Sequence, residues 1–316
     1  MGNPSLEAIS LSKRYGSFVA LASLNLKIEG AKCVGFLGPN GAGKTTTLKL
    51  FTDMIRATEG KALINGINVH DSKRKALAHV GDLIESPEIY PSFTPNEALS
   101  MVADLRGVQK SDKSKRIEEA IAEVKMEEWK NKKVGKFSKG MKQRINIAAA
   151  LLSEPDIIIL DEPTTGLDPR GMAEVRDIVK SLKKKNRLIF MSSHLLPEVS
   201  DVCDEVAMID HGKLLVYDKL ENVTSKFSGD GGSIVDAGFS RTVDDSSIMQ
   251  NVSSLPGVIA VEKMDSRNLR IKFAGGSAGQ EQLLSNLASM RMGLLSFRAS
   301  SSALEDTYLN LIKDTL

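Results

Sequence analysis

The sequence predicts an α/β fold with a smaller α+β unit behind it. Three observations carry that expectation. A glycine-rich run, "GPNGAGKTT" (Gly38 to Thr46), lies between the apolar strand "AKCVGFLG" and a helical stretch. Two short, continuously apolar runs, "DIIIL" and "RLIFMSS", flank a helical pattern around Met172 to Lys184. Such runs suit parallel strands covered on both faces, so this segment reads as a βαβ unit. Composition then changes at "SKFSGDGGS", where Ser228 to Gly232 read as a flexible linker.

The other elements follow in chain order. "SLNLKIEG" alternates apolar and polar residues and reads as a strand. In "KALINGINV", Asn65-Gly66 between short apolar runs marks a hairpin. The pattern turns helical at "TPNE", with Thr94 as N-cap, Pro95 at the first helical position and Glu97 as capping-box partner. "SKRIEEAIAEVKM" is a second helix, and "SKGMKQRINIAAALL" starts a third at Ser138. Beyond the linker the order is strand (Ser233–Phe239), helix (Asp245–Ser254), strand (Val258–Met264), strand (Asn268–Phe273), helix (Gly279–Met290) and strand (Leu294–Arg298). That βαββαβ order is the split ferredoxin-like pattern, and a last helix from Ala303 closes the chain. The expected domains are 1–226 and 233–316.

At 316 residues the chain suits two domains. A formal net charge of +2 argues neither for nor against nucleic acid. Cys33 and Cys203, the two cysteines, are no disulfide framework; they read as reduced, small buried residues. "MGNPSLEAIS" lacks the apolar stretch of a signal peptide, and no apolar run approaches the roughly 18 residues of a membrane helix. If the protein works at a membrane, another chain spans it.

Gly38 to Thr46 fit G-x-x-x-x-G-K-[ST], a loop whose successive backbone N–H groups wrap a phosphate. Asn40, Gly41, Ala42, Gly43, Lys44, Thr45 and Thr46 are the candidate binding residues. Lys44 reaches the outer phosphates, and the Thr45 hydroxyl suits Mg²⁺. Asp161 and Glu162 end the apolar run "IIIL". They read either as a solvated pair opening a loop or as a metal-side carboxylate followed by a base that polarises water. His194 ends the next strand, where open α/β sheets bind ligands, although a lone histidine is often structural. Tyr15 suits stacking on a base as well as it suits a half-buried turn. The helix beginning at Ser138 has unpartnered N–H groups, with Gly140 keeping bulk away and Lys139 and Lys142 adding charge; it is a second anion site.

In that order these motifs resemble, over roughly Leu6 to Lys226, the nucleotide-binding subunits of ABC transporters. The resemblance implies a P-loop NTPase of ABC type: a RecA-like core with an antiparallel β subdomain and a helical subdomain. It implies ATP and Mg²⁺ as ligands and ATP hydrolysis as the activity. Tyr15 matches the adenine-stacking aromatic and Gly38 to Thr46 the Walker A loop. Ile157 to Glu162 match Walker B, with Asp161 on the metal and Glu162 as base. Gly166 to Pro169, including Asp168, match the D-loop, and His194 the switch histidine. "FSKGM" (Phe137 to Met141) stands where the family has LSGGQ; Ser138 and Gly140 fit, whereas Lys139 and Met141 depart. In the family that helix reads the γ-phosphate held by a second subunit, so a homodimer is expected. Glu85 stands where the family has a glutamine touching Mg²⁺ and the attacking water.

"LIESP", Tyr90 and "NEAL" look like the branch containing bacitracin-type and other small-molecule exporters, and "SALEDTYLNL" resembles the tail of such ATPases. The implied partner is a separate transmembrane permease, with this chain on the cytoplasmic face of the membrane. Two rivals stand beside the export ATPase: a soluble ABC ATPase acting on ribosomes or DNA, and an ATP-sensing module with slow turnover. The first commonly joins two nucleotide-binding domains or inserts coiled coils, and neither is present. Intact Lys44, Asp161, Glu162 and His194 argue against the second. The C-terminal βαββαβ order is also that of an RNA-recognition domain. Its strands lack the expected aromatic pairs, so no nucleic acid is expected and the unit reads as regulatory or dimerising.

Overall fold

A computed structural model describes residues 3–85, 88–227, 232–243 and 246–299. The chain divides into two compact units, Met1–Leu220 and Glu221–Leu316. The first begins β1 (Ser5–Tyr15), β2 (Phe18–Glu29), β3 (Cys33–Leu37), α1 (Lys44–Phe51), β4 (Glu59–Ile64), β5 (Ile67–Asn68), α2 (Lys73–Ala76) and β6 (Val80–Leu83). Three helices follow, α3 (Pro95–Leu105), α4 (Lys110–Glu123) and α5 (Lys139–Leu151), which pack on one another. The unit continues with β7 (Ile157–Leu160), α6 (Pro169–Lys183), β8 (Leu188–Ser193), α7 (Leu196–Val202), β9 (Glu205–Asp210) and β10 (Lys213–Lys219).

Two sheets result. The antiparallel one runs β2-β1-β4-β5, and the six-stranded one runs β10-β9-β3-β8-β7-β6. All neighbours in the second are parallel except the β10–β9 hairpin. β2 buries Leu24, Leu26 and Ile28 and exposes Asn25, Lys27 and Glu29, the alternation of a strand with one face on the core. β7 and β8 are buried along their whole length, as strands flanked on both faces must be. Asn65 (φ 50°) and Gly66 (φ 75°) both take positive φ, which the two-residue β4–β5 hairpin requires. The Thr94 capping box is formed, with Pro95 opening α3.

One apolar core joins the two sheets. Phe36 of β3, Phe51 of α1 and Phe190 of β8 meet there, with ring centroids 5.3 and 6.0 Å apart. Phe51 therefore clamps the far end of the helix that follows the glycine-rich loop; truncating such a ring to Ala costs about 3–5 kcal/mol. Cys33 and Cys203 are free and buried, with sulfur atoms 3.6 Å apart. Because β3, β8 and β7 lie side by side and parallel, their C-terminal ends share one sheet edge. Leu37 pairs with Ser193 and Leu160 with Met191, so the glycine-rich loop, His194 and Asp161 leave that edge together.

The second unit contains β11 (Gly232–Phe239), α9 (Ser246–Ser253), β12 (Val258–Lys263), β13 (Asn268–Ala274), α10 (Gly276–Ser289) and β14 (Leu294–Ala299). Its sheet order is β12-β13-β11-β14, with every pairing antiparallel, which is the ferredoxin-like arrangement. Phe239 and Phe273 are buried with Val252, Ile271 and Leu287, and Phe297 packs on the same core. The strand aromatics thus serve packing. The division falls after Leu220, the first residue of α8 (Leu220–Phe227), not in the glycine-rich linker, so the rest of this helix groups with the second unit. Composition marks where a chain bends easily; packing decides which body a helix joins. The helix expected from Ala303 and the "SALEDTYLNL" tail lie outside the described residues.

Candidate functional site

The glycine-rich loop is shaped by close approach. A Cβ on Gly38 would collide with the backbone oxygen of Ile209 in β9. Gly43 has φ 103° and caps α1, and a Cβ there would lie 2.6 Å from the Ala20 oxygen. Only glycine meets both demands. The Gly212 N–H, in the β9–β10 turn, donates to the Ala42 oxygen at 3.0 Å and ties the loop down. Asn40 and Gly41 are exposed, Ala42 and Gly43 buried, and Thr45 and Thr46 half-buried in the first turn of α1. That turn carries no acidic side chain that would compete with an anion for its N–H groups.

Lys44 is 5% exposed. Its ammonium donates to the oxygens of Gly38 (2.8 Å) and Pro39 (3.0 Å) and lies 3.1 Å from Glu162 Oε1. His194 Nδ1 is 3.0 Å from Glu162 Oε2, and Thr165 Oγ1 donates to the same oxygen at 2.9 Å. Lys44, Glu162 and His194 are therefore one cluster. Glu162 adopts φ 42°. For a non-glycine residue that conformation costs about 1–3 kcal/mol. Burial acts to raise the Glu162 pKa. Hydrogen bonds from Thr165 and Lys44, with the charges of Lys44 and His194, outweigh it and hold the carboxyl below the ordinary value.

Asp161 continues the β7–β6 ladder, its N–H donating to the Leu83 oxygen at 2.8 Å. Its Oδ1 accepts from Ser192 Oγ at 2.6 Å, and the same hydroxyl accepts from the Glu162 N–H at 2.9 Å. Among the described residues no cluster of three or more His, Cys, Asp or Glu could hold a metal ion alone. What Thr45 and Asp161 offer is hard oxygen, which with phosphate oxygens is the donor set that suits Mg²⁺. Glu85 has φ 55°, a side chain 68% exposed, and its carboxylate paired with Lys49 of α1. Its described partner is thus a lysine of the helix and not a member of the Lys44–Glu162–His194 cluster.

Tyr15 ends β1 with half its surface exposed, and the Lys13 ammonium sits 4.9 Å from its ring centre. Ser138 caps α5, its hydroxyl accepting from the Met141 N–H at 3.2 Å. Asp168 caps α6 by accepting from the Gly171 N–H at 2.9 Å. Gly140 is where the two helix starts cross: a Cβ there would lie 3.2 Å from Gly171 Cα. Ser138, Gly140 and Asp168 thus form a second group at the starts of α5 and α6. A cleft of about 360 Å³ is lined by members of both neighbourhoods, Lys139, Lys142 and Gln143 on α5 and Glu162 and Thr165 beyond β7. Gln143 Nε2 donates to the Pro163 oxygen at 2.8 Å and buttresses the Glu162 turn.

Ser192, Thr165 and Gln143 escaped the sequence reading. Ser192 had a faint signal, a hydroxyl residue ending an apolar strand just before His194. Which of Ser192 and Ser193 meets Asp161 depends on the β7–β8 register, in which Leu160 pairs with Met191.

Known proteins resemble this chain in sequence and in fold. The family model described as "ABC transporter" matches residues 21–165. The bacitracin transport ATP-binding protein BcrA of Bacillus licheniformis is 40% identical over 226 residues, covering 70% of this chain and 73% of that protein. The linearmycin resistance ATP-binding protein LnrL of Bacillus subtilis (strain 168) is 28% identical over 315 residues, 98% of this chain and 99% of its own length. A solved structure of an ATP binding subunit of an ABC transporter superposes with a TM-score of 0.62 at 28% identity, covering 70% of this chain and 92% of that one.

Proposed function

Because this chain belongs to the ATP-binding proteins of ABC transporters and is an ATPase of that type, we propose that it powers a separate membrane permease. ATP binds at Gly38–Thr46, and Glu162 serves as the base for its hydrolysis. The observation that carries this reading is the placement of Glu162 between Lys44, at 3.1 Å, and His194, at 3.0 Å. Relatives named for bacitracin transport and linearmycin resistance support export of a small molecule or drug. No helix of the described residues is long and apolar enough to cross a membrane; the permease is read as another chain, with this one on the cytoplasmic face of the membrane, where ATP is supplied. The ferredoxin-like unit is read as regulatory or dimerising.

Each residue has a chemical task. The loop N–H groups and the start of α1 hold phosphate oxygens, and Lys44 exchanges its carbonyl partners for them. Tyr15 stacks on the adenine. Thr45 and Asp161 are the residues that would hold Mg²⁺, with Glu85 beside them once free of Lys49; bound, the ion neutralises phosphate charge. Glu162, ionised because its pKa is low, takes a proton from the attacking water while His194 and Thr165 fix its other oxygen. Two copies close head to tail, so that Ser138 and Gly140 of one reach the phosphates on the other and Asp168 lies along the seam. Glu162→Gln tests the core of this reading: ATP binding persists while turnover falls about 10²–10⁴-fold. Turnover at the parental rate would place the base elsewhere.

A further inference from the structure

A buried carboxylate outside the cluster joins the two turns that carry its members. Glu198 of α7 is 3% exposed. Its Oε1 accepts from Thr164 Oγ1, and its Oε2 accepts from Ser193 Oγ at 2.8 Å. Thr164, 1% exposed, lies two residues beyond Glu162 in a turn closed by the Thr165 N–H on the Glu162 oxygen at 3.1 Å. Ser193, also 1% exposed, immediately precedes His194, and its Oγ accepts from the Leu195 N–H at 2.9 Å. One carboxylate therefore ends both turns, one oxygen on each. Burying an acidic group is costly unless its oxygens are bonded. An apolar side chain could fill the same space without that cost. What it could not do is set the spacing of two polar turns whose tips, Glu162 and His194, must meet at 3.0 Å.

We infer that Glu198 is a positioning residue that holds the Glu162 turn and the His194 turn at their reactive spacing. The inference rests on the proposed role of Glu162 and deepens it. Glu198 acts through Thr164 and Ser193 and touches neither substrate nor metal. Its value lies in the sensitivity of catalysis to placement, since a shift of about 1 Å at reacting groups costs on the order of 10²-fold in rate. The brace needs two bonded oxygens' worth of contact and not a negative charge. A glutamine restores it, its amide oxygen accepting from one hydroxyl and its amide nitrogen donating to the other.

The experiment compares Glu198→Leu, Glu198→Gln, Thr164→Val and Ser193→Ala. Turnover is normalised to ATP-binding sites, so misfolded protein does not count. Expected for the leucine variant is a kcat about 10–100-fold down with KM for ATP within roughly threefold, and for the glutamine variant a kcat within about threefold of the parent. Thr164→Val and Ser193→Ala, each cutting one arm, fall between. A second readout needs no nucleotide. The chain has four histidines, so the His194 ring-nitrogen NMR signal can be assigned by its loss in His194→Gln. In Glu198→Leu that signal moves toward its position in Glu162→Gln; in Glu198→Gln it stays at the parental position. Leucine and single-arm variants with parental kcat and parental signal overturn the inference. So does a glutamine variant as defective as the leucine one, because charge and not the paired contact would then be at work. If Glu162→Gln hydrolyses ATP normally, the base assignment fails, and the NMR comparison still judges the brace by itself.

Discussion

Ser192→Ala removes a single oxygen on which two site residues depend. The hydroxyl is fully buried, donates to Asp161 Oδ1 at 2.6 Å and accepts from the Glu162 N–H at 2.9 Å. A hydrogen bond to a charged group contributes about 1.5–3 kcal/mol, and a buried donor left without a partner costs about 1–3 kcal/mol. The two losses overlap, because water drawn into the gap satisfies part of each; a net loss of about 3 kcal/mol follows. For a unit of this size each kcal/mol moves the melting temperature by about 2–4 °C, so the transition of the N-terminal unit falls by roughly 6–12 °C. Glu162 also loses a restraint on its φ of 42°, and relaxation toward ordinary backbone geometry moves its carboxylate off Lys44 and His194. Turnover is expected to fall about 10–100-fold with ATP affinity changed by less than about threefold, since the phosphate loop is untouched. Scanning calorimetry gives the first quantity, steady-state hydrolysis and titration calorimetry the others. A variant matching the parent in melting temperature and turnover would refute the assignment of Ser192 as the link between the Asp161 carboxylate and the Glu162 backbone. A variant that loses ATP affinity alone would place the hydroxyl's influence on the loop instead.

Lys44→Ala abolishes tight ATP binding, because the outer phosphates lose their point charge; calorimetry with Mg²⁺ checks it, and unchanged affinity removes the loop from the mechanism. Glu85→Gln weakens Mg²⁺ dependence without ending hydrolysis if the carboxylate leaves Lys49 for the metal; superimposable Mg²⁺ titrations show that it does not. The Glu162 pKa is lowered from 4.5 in the fold, so its pairing stabilises above that value and is lost as pH falls through the folded one. The stability of the parent relative to Glu162→Gln therefore declines as pH falls below about 4.5, whereas a pH-independent difference contradicts the pairing. Cysteines at Ser138 and Asn40 of separate copies, with Cys33 and Cys203 changed to Ser and Glu162→Gln added, are joined by a short crosslinker in ATP and released without it. Crosslinking indifferent to nucleotide ends the head-to-tail arrangement.

Local chemistry was enough to find the phosphate loop. Its glycines, Lys44 and Thr45 are contiguous, and the strand and helix on either side are each specified by their own apolar pattern. The same holds for the Thr94 and Ser138 caps, whose partners lie three residues away. Asp161, Glu162 and His194 were legible one by one, because each ends an apolar strand. Their meeting was not legible, since it follows from the strand order β3-β8-β7, which brings together ends far apart in the chain. Ser192 and Glu198 lie deeper still. Alternation along a strand decides which of two adjacent serines faces Asp161, and a one-residue slip of register would exchange them. Gly140 shows the reverse: the motif explained it as room for an anion, and packing adds a second reason, the close crossing of α5 over Gly171. Sequence determines what a stretch of chain can do alone; which distant oxygen completes a hydrogen bond is decided only when strands choose their neighbours.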